Sequence, residues 1–409
     1  MTHCIAAPIR RCLALAAASL LAACAGTTPS PERPPAAPSA GASYTLAAWS
    51  DLPGFATDRV AEAWPAFRAG CEALVANARS ESTWQKPCRA SLAVDGTSEA
   101  AVRTFLSEHF SPYEIASADG ARDGLVTGYY EPSLAGARTP DAQFNVPLHA
   151  APDDLLVVDL ASLHPELADR RVRGRIEGRR VVPYWSRREI DAGAMRNAKV
   201  LAYVADPLDA FFLQIQGSGR IVLPDASVIR LGYADQNGHP YRAIANTLIA
   251  RGEMTLEQAS MQSIRDWARA NPSRLADVLE TNPSYVFFRE VALPAPGTLH
   301  AAIDGPIGSL GIPLLPRRTI AVDRRAIPLG TPVWIATTQP STRTPLQRLV
   351  LAQDTGGAIR GAVRADFFWG AGETAGAEAG RMRESGRLWM LWPTGAPLPS
   401  AQTLSKIQR

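Results

Sequence analysis

Three aspartates towards the C-terminal end of the chain are the residues best placed for chemistry: Asp323 in AVDRRAIPLG, Asp354 in QDTGGAI and Asp366 in RADFFWG. Each ends an apolar run or sits against aromatic residues, where water is partly excluded. A carboxyl so placed favours its neutral form, and a second carboxylate nearby raises its pKa further. An aspartate kept protonated in this way can act as a general acid. The plainer reading, strand-ending aspartates that cap turns, suits any one of them alone but suits three beside Gly356 and Gly357 less well. Asp354-Thr355-Gly356 also has the form of the aspartic-protease signature. The chain carries one copy, followed by Gly357 where Ser or Ala is usual, so a dyad would require a homodimer.

Other chemistries lack their residues. Histidine is scarce at six, and HExxH, CxxC and His-x-His spacings are missing from the body, so neither a metal site nor a cofactor is expected. Gly217-Ser218-Gly219 lacks the third glycine of a dinucleotide loop, and no Gly-x-Ser-x-Gly stands between a strand and a helix. What remains is carboxylates, hydroxyls, amides and aromatics, an inventory suited to carbohydrate. Lys+Arg 42 against Asp+Glu 39 gives no basic field for nucleic acid.

The elements that must hold these residues are legible in outline. Residues 58–78 and Ser98 to Phe110 have helical apolar spacing, and Leu125 to Glu131 is a β-rich run. Ser186-x-x-Glu189 and Thr255-x-x-Gln258 are capping boxes that open helices; the second is expected to run to about Ala270 and stop at Asn271-Pro272. After Pro294 short β-branched runs (Thr319–Val322, Pro332–Thr337, Gln347–Ala352, Arg387–Trp392) alternate with Gly/Pro turns and no helical crossover, which predicts a compact, barrel-like β unit followed by a loose tail after Pro393.

The N-terminus reads as an address. Arg10 and Arg11 precede an apolar stretch ending Leu21-Ala22-Ala23-Cys24, which resembles the lipobox of bacterial lipoproteins, with cleavage before Cys24 and acylation of its thiol. The alternative is an ordinary secretory signal that contains a cysteine. Residues 25–50 begin with a Pro-rich run unable to bury enough apolar surface to order itself, hence a tether. Cys71 and Cys88, 17 apart in an oxidising compartment, read as a possible disulfide, with two separate buried thiols as the alternative.

Several long motifs carry a family resemblance: TGYYEP (Thr127–Pro132), FLQIQGSG (Phe212–Gly219), GYADQNGHPYR (Gly232–Arg242), MQSIR (Met261–Arg265) and NPSYVFF (Asn282–Phe288), with the three-aspartate pattern behind them. Over residues 50–393 the chain resembles the membrane-bound lytic murein transglycosylase A family. The resemblance implies a mainly β fold with peripheral helices: a discontinuous double-psi β-barrel (51–131 and 293–393) interrupted by a second β domain (132–292), with a groove between them and a tail at 394–409. It implies cleavage of the MurNAc–GlcNAc bond of peptidoglycan without water, Asp366 as the one acid then base, and Asp354 and Asp323 as shapers of its surroundings. Tyr129, Tyr130, Tyr233 and Tyr241 offer faces for sugar rings, while Gln214, Gln216, Ser218, Gln236 and Asn237 can hydrogen-bond N-acetyl and hydroxyl groups. Gly217, Gly219, Gly356 and Gly357 are expected to permit tight turns and close backbone approach to the glycan. Expected partners are peptidoglycan strands, outer-membrane lipid through Cys24 (Ala25 favours that membrane) and other cell-wall enzymes. An endoglucanase-like hydrolase and a non-catalytic peptidoglycan-binding lipoprotein are the competing readings.

Overall fold

The computed structural model describes residues 41–399 apart from Arg79, Ala161, residues 165–171 and Arg196. The signal segment with Cys24, most of the tether and residues 400–409 lie outside the described residues. No helix among the described residues is long and apolar enough to cross a membrane.

The chain enters with strand β1 (Ser43–Leu46) and three helices, α1 (Trp64–Ala76), α2 (Glu81–Ala90) and α3 (Glu99–His109). Helix α1 starts with Pro65 in its first turn and buries Trp64, Phe67, Cys71 and Leu74, the three- and four-residue spacing of one helical face. Cys71 is joined by a disulfide to Cys88, which ties α1 to α2. Ser98 caps α3 by accepting a hydrogen bond from the Ala101 amide at 3.3 Å. Strands β2 (Phe110–Ala116) and β3 (Gly124–Glu131) follow.

A long middle section then builds a second β unit. Its strands are β4 (Ser133–Ala137), β5 (Val146–His149), β6 (Leu156–Val158), β7 (Val172–Glu177), β8 (Arg180–Pro183), β9 (Val200–Val204), β10 (Ser218–Val222), β11 (Val228–Gln236) and β12 (Val286–Glu290). They form a six-stranded sheet ordered β12-β11-β10-β4-β9-β5 and a three-stranded sheet β6-β7-β8. Helices α4 (Arg187–Asp191), α5 (Pro207–Gln216), α6 (Ile244–Ala250), α7 (Met261–Ala270) and α8 (Leu275–Leu279) lie between these strands in the chain.

The C-terminal strands are β13 (Thr319–Val322), β14 (Pro332–Thr338), β15 (Pro345–Asp354), β16 (Arg364–Ala371) and β17 (Arg383–Pro393), with helix α9 (Gly372–Arg381) before the last. With β1, β2 and β3 they make an eight-stranded sheet in the order β1-β2-β17-β14-β15-β13-β16-β3. Strand β17 pairs with β14 through Arg387–Met390 and with β3 through Arg383–Gly386, so the six strands β17-β14-β15-β13-β16-β3 return to β17. Val333, Trp334, Val350, Phe367, Trp389 and Met390, each at most 1% exposed, are part of the largest apolar core.

Three details depart from the sequence reading. The Thr255–Gln258 box is present, with reciprocal bonds of 3.1 and 3.3 Å, but closes only a turn; the helix begins at Met261, capped by Ser260. The β unit contains α9, whose Ala/Gly-rich sequence reads as loop. With nine α-helices among the described residues, the fold is mixed α/β with two β units rather than mainly β. The tail packs at first: Trp392 donates to the Pro397 carbonyl at 3.0 Å, and Leu398 lies on the core.

One ion pair joins the two ends of the chain. Arg318, 2% exposed, is held by both oxygens of Asp58 at 2.8 and 3.0 Å, by Glu62 at 2.8 Å and by the carbonyls of Leu349 and Arg59. Removing one partner of a buried pair strands the other charge. Arg318→Ala is expected to destabilise the protein by about 3–5 kcal/mol in urea unfolding, whereas Arg269→Ala, in the exposed pair with Asp266, should change it by less than about 1 kcal/mol.

Candidate active site

Strand β13 runs between β15, to which it is parallel, and β16, to which it is antiparallel. Ala321 is registered with Asp354 on one side and with Asp366 on the other, so two carboxyls flank one small residue. On the far side of β16, β3 places Thr127 opposite Asp366. The Thr127 hydroxyl donates to Asp366 Oδ1 at 2.6 Å and accepts from Arg364 Nη2 at 2.8 Å. The guanidinium thus fixes the hydroxyl's direction, and the hydroxyl fixes the carboxyl. Burial pushes the Asp366 carboxyl above the usual aspartate range, and the charge of Asp354 pushes the same way; the Thr127 bond and Arg364 oppose this without cancelling it.

Asp354 is the last residue of β15. Its Oδ1 accepts from the Ser309 amide at 3.0 Å and hydroxyl at 2.7 Å, and its Oδ2 accepts from the Tyr129 hydroxyl at 3.2 Å. Burial raises this pKa too, against those bonds. Tyr129 rests its ring 5.1 Å from that of Phe368, and burial followed by the two aspartate charges keeps it a neutral phenol and a donor. A carboxyl whose neutral form is favoured, held by oriented donors, is equipped to deliver a proton and take one back.

Asp323 is different in kind. It is 1% exposed and accepts from Arg325 Nε at 3.0 Å, Arg325 Nη2 at 2.7 Å, the Arg325 amide at 3.1 Å and the Gly361 amide at 2.9 Å. Burial alone would raise its pKa, but these partners outweigh burial and hold it low. It staples the turn after β13 to the segment before β16 as an ionised structural group.

The expected sugar-binding residues divide. Tyr129 lies at the carboxyls. Tyr130 points the other way, into the core, where a Cβ on Gly376 of α9 would come within 2.8 Å of its ring; this corrects its reading as a sugar platform. Gln216 accepts from the Tyr130 amide at 3.1 Å, which joins the end of α5 to β3. Gly217 ends α5 in the left-handed region (φ 76°), and Ser218 opens β10 opposite Gly232. Tyr233 and Tyr241 are 44% and 49% exposed, and Gln236 ends β11. Gln214 is buried and accepts from Arg187. Asn237 is 1% exposed, donating to the Trp185 and Pro283 carbonyls at 2.9 and 2.8 Å and accepting from the Tyr285 amide at 2.9 Å. The Asn237 amide is fully engaged inside the protein and Gln214 is buried with its oxygen spent on Arg187, which corrects their reading as ligand donors. Gly356 and Gly357 follow Asp354 without positive φ, and a Cβ on Gly357 would meet open space, so no tight turn requires them. Gly219 does permit a close approach: a Cβ there would sit 2.2 Å from Leu213 Cδ1.

Sequence reasoning did not single out Thr127, Ser309 or Arg364. Thr127 opens the TGYYEP run and Arg364 lies two residues from Asp366, on the same strand face, so both carried a signal. Ser309 carried none. Among the described residues no group of three or more His, Cys, Asp and Glu could hold a metal ion.

Comparison with known proteins places the chain. Residues 125–289 match the MltA specific insert domain and residues 318–392 match the 3D domain. The membrane-bound lytic murein transglycosylase A of Escherichia coli K12 is 32% identical over 287 residues, 68% of each chain. A crystal structure of MltA from Neisseria gonorrhoeae is 39% identical, with a TM-score of 0.76 over 88% of this chain and 94% of that one. E. coli MltA with bound chitohexaose is 26% identical, with a TM-score of 0.60 over 88% and 93%. By sequence and by fold alike, the chain belongs to the membrane-bound lytic murein transglycosylase A family.

Proposed function

We propose that this protein is a peptidoglycan lytic transglycosylase that cleaves the β-1,4 bond between N-acetylmuramic acid and N-acetylglucosamine and leaves 1,6-anhydro-muramyl ends. The observation that carries this reading is Asp366, a carboxyl pushed towards its neutral form and oriented by Thr127 and Arg364. The bound chitohexaose of the E. coli relative supports a β-1,4-linked amino-sugar chain as ligand. Protonated Asp366 donates to the linking oxygen as the C1–O bond breaks. The substrate's own N-acetyl carbonyl supports the electron-poor C1. Asp366, now ionised, takes the proton of the C6 hydroxyl as its oxygen closes on C1. No water is consumed, so one carboxyl suffices where a hydrolase uses two.

In this reading the returning ladder of six strands is a double-psi barrel, assembled from 51–131 and 293–393. Residues 132–292 are the inserted substrate-binding domain, and the glycan lies in a groove between the two, contacted by Tyr129, Gln216, Ser218, Tyr233 and Tyr241. Acylated Cys24 holds the protein at the outer membrane, facing the periplasm. A hydrolase remains the second reading, favoured by one observation: Asp354 supplies a second carboxyl with a raised pKa across the single intervening strand β13.

Product analysis separates the two. Wild-type protein on murein sacculi should release anhydromuropeptides, whereas reducing muramyl ends would make it a hydrolase. Asp366→Asn should lose activity by at least about 10²–10⁴-fold while still co-sedimenting with sacculi. A dead Asp354→Asn beside an active Asp366→Asn would move the acid to Asp354.

The electrostatics give a second, activity-independent expectation. A carboxyl whose folded pKa lies above its unfolded value contributes stability that is complete below the unfolded pKa and is lost as pH rises through the folded one. Asp366→Asn should therefore melt higher than wild type at neutral pH, with the difference vanishing below the ordinary value of 3.8; an unchanged difference across pH would contradict the raised pKa. Wild-type lysis should fall over the same rise in pH, as the acid form disappears.

For the anchor, Cys24→Ser should release soluble, active protein, measured by fractionation. Retention of the variant in the outer-membrane fraction would mean that another surface holds it.

A further inference from the structure

At the other end of β15 the chain lines a cavity of about 540 Å³ with Asp58, Arg59, Glu62, Arg317, Arg318, Gln347 and Arg348, among other residues. Arg348 lies six residues before Asp354 on the same strand, about 20 Å away at the strand rise, so this cavity is distinct from the carboxyl site. It holds four guanidiniums against two carboxylates. Both carboxylates are already engaged: Asp58 by Arg318 and the Leu349 amide, Glu62 by Arg318 and, at 3.0 Å, by Arg59. Arg317 and Arg348 have no carboxylate in ion-pair reach among the described residues.

These two cations are placed as a pair. Arg317 adopts a left-handed backbone (φ 61°), rare for a side chain with a Cβ, while its amide donates to the Phe368 carbonyl at 2.7 Å and its guanidinium lies 4.8 Å from the Trp369 ring centroid. Arg348 Nη1 reaches the Arg317 carbonyl at 3.4 Å, and its Nε is buried with no hydrogen-bond partner. A buried donor left unmade is costly, and so is one guanidinium beside two others. Burial, then the charges of Arg318 and Arg317, pull the Arg348 pKa down against the nearby carboxylates of Asp58 and Glu62. A dianion between Arg317 and Arg348 removes the second of these penalties, the repulsion among the guanidiniums. Guanidiniums bind phosphate through paired N–H groups, and the cavity is far larger than a bare phosphate, leaving room for the group that carries it.

We infer that the Arg317–Arg348 cavity is a binding site for a phosphate monoester or phosphate-bearing headgroup, separate from the carboxyl site. The site takes a phosphate from either of two sources, a soluble phosphoester or an anionic lipid, and the test distinguishes them. Inorganic phosphate is titrated calorimetrically into the full chain at constant ionic strength set with chloride, and binding to vesicles of phosphatidylcholine, with and without phosphatidylglycerol, is followed by co-sedimentation. Saturable one-site phosphate binding is expected, weakened roughly 10- to 100-fold by Arg348→Gln, with Arg269→Gln as an unaffected control. Phosphatidylglycerol-dependent sedimentation lost in Arg348→Gln assigns the site to a lipid headgroup; phosphate binding without it assigns a soluble ligand. Failure of phosphate and vesicles alike to bind, or undiminished binding by Arg348→Gln, overturns the inference. Among the described residues Arg348 has no carboxylate within ion-pair distance, so Arg348→Gln should fold, as its melting curve will report. If it does not, Arg348→Lys carries the test, a loss of affinity supporting the site and wild-type affinity refuting it. All readouts are binding, so the outcome is independent of whether the carboxyl site cleaves murein.

Discussion

The candidate site depends on one strand finding its place. Strand β3, made early in the chain, must dock between β16 and β17, made last, before the ladder can return to its start. That docking sets Thr127 beside Asp366 and Tyr129 beside Asp354. It also sets the amide of Tyr130 against Gln216. A shift of one residue in β3 would turn Thr127 and Tyr129 to the core and Tyr130 to the carboxyls. Backbone register, more than any side-chain contact, therefore decides whether the carboxyls have their donors.

The three aspartates show how little a sequence pattern says about charge. Asp323, Asp354 and Asp366 occupy similar apolar-to-polar transitions, yet the first is held ionised by Arg325 and two amides, while burial wins at the other two. The difference lies in the kind of donor each carboxyl meets after folding: a guanidinium with two amides at Asp323, neutral hydroxyls and amides at Asp354. Arg325 is two residues from Asp323 and could have been noticed; Ser309 reaches Asp354 from a loop far away in sequence.

What the sequence made legible was local. Strand Thr319–Val322, the Ser98-capped helix and the Asn271 stop follow from periodicity and capping, and the structure keeps them. What it hid was decided by distant partners. The first half of β17 reads RESG, with no β pattern, and is a strand because β3 offers it a ladder. Gln214 and Asn237 were read as ligand donors because an amide looks the same whether it meets a sugar or a carbonyl; Arg187 and the Pro283 carbonyl settle the matter only in three dimensions. The family motifs survived this difficulty because they are long and ordered, and several of their residues are helix ends and buried amides that hold the fold.

The carboxyl of Glu131, at the point where the chain leaves β3, is 1% exposed and paired with Arg220 of β10 at 2.8 Å. The same guanidinium holds Asp304, on the segment that returns after β12, at 2.9 and 3.1 Å. Departure and return of the chain are thus pinned by a cation that belongs to the section between them. Deleting that section would strip Glu131 and Asp304 of their shared counter-ion at once, so the two β units are joined by charge as well as by chain.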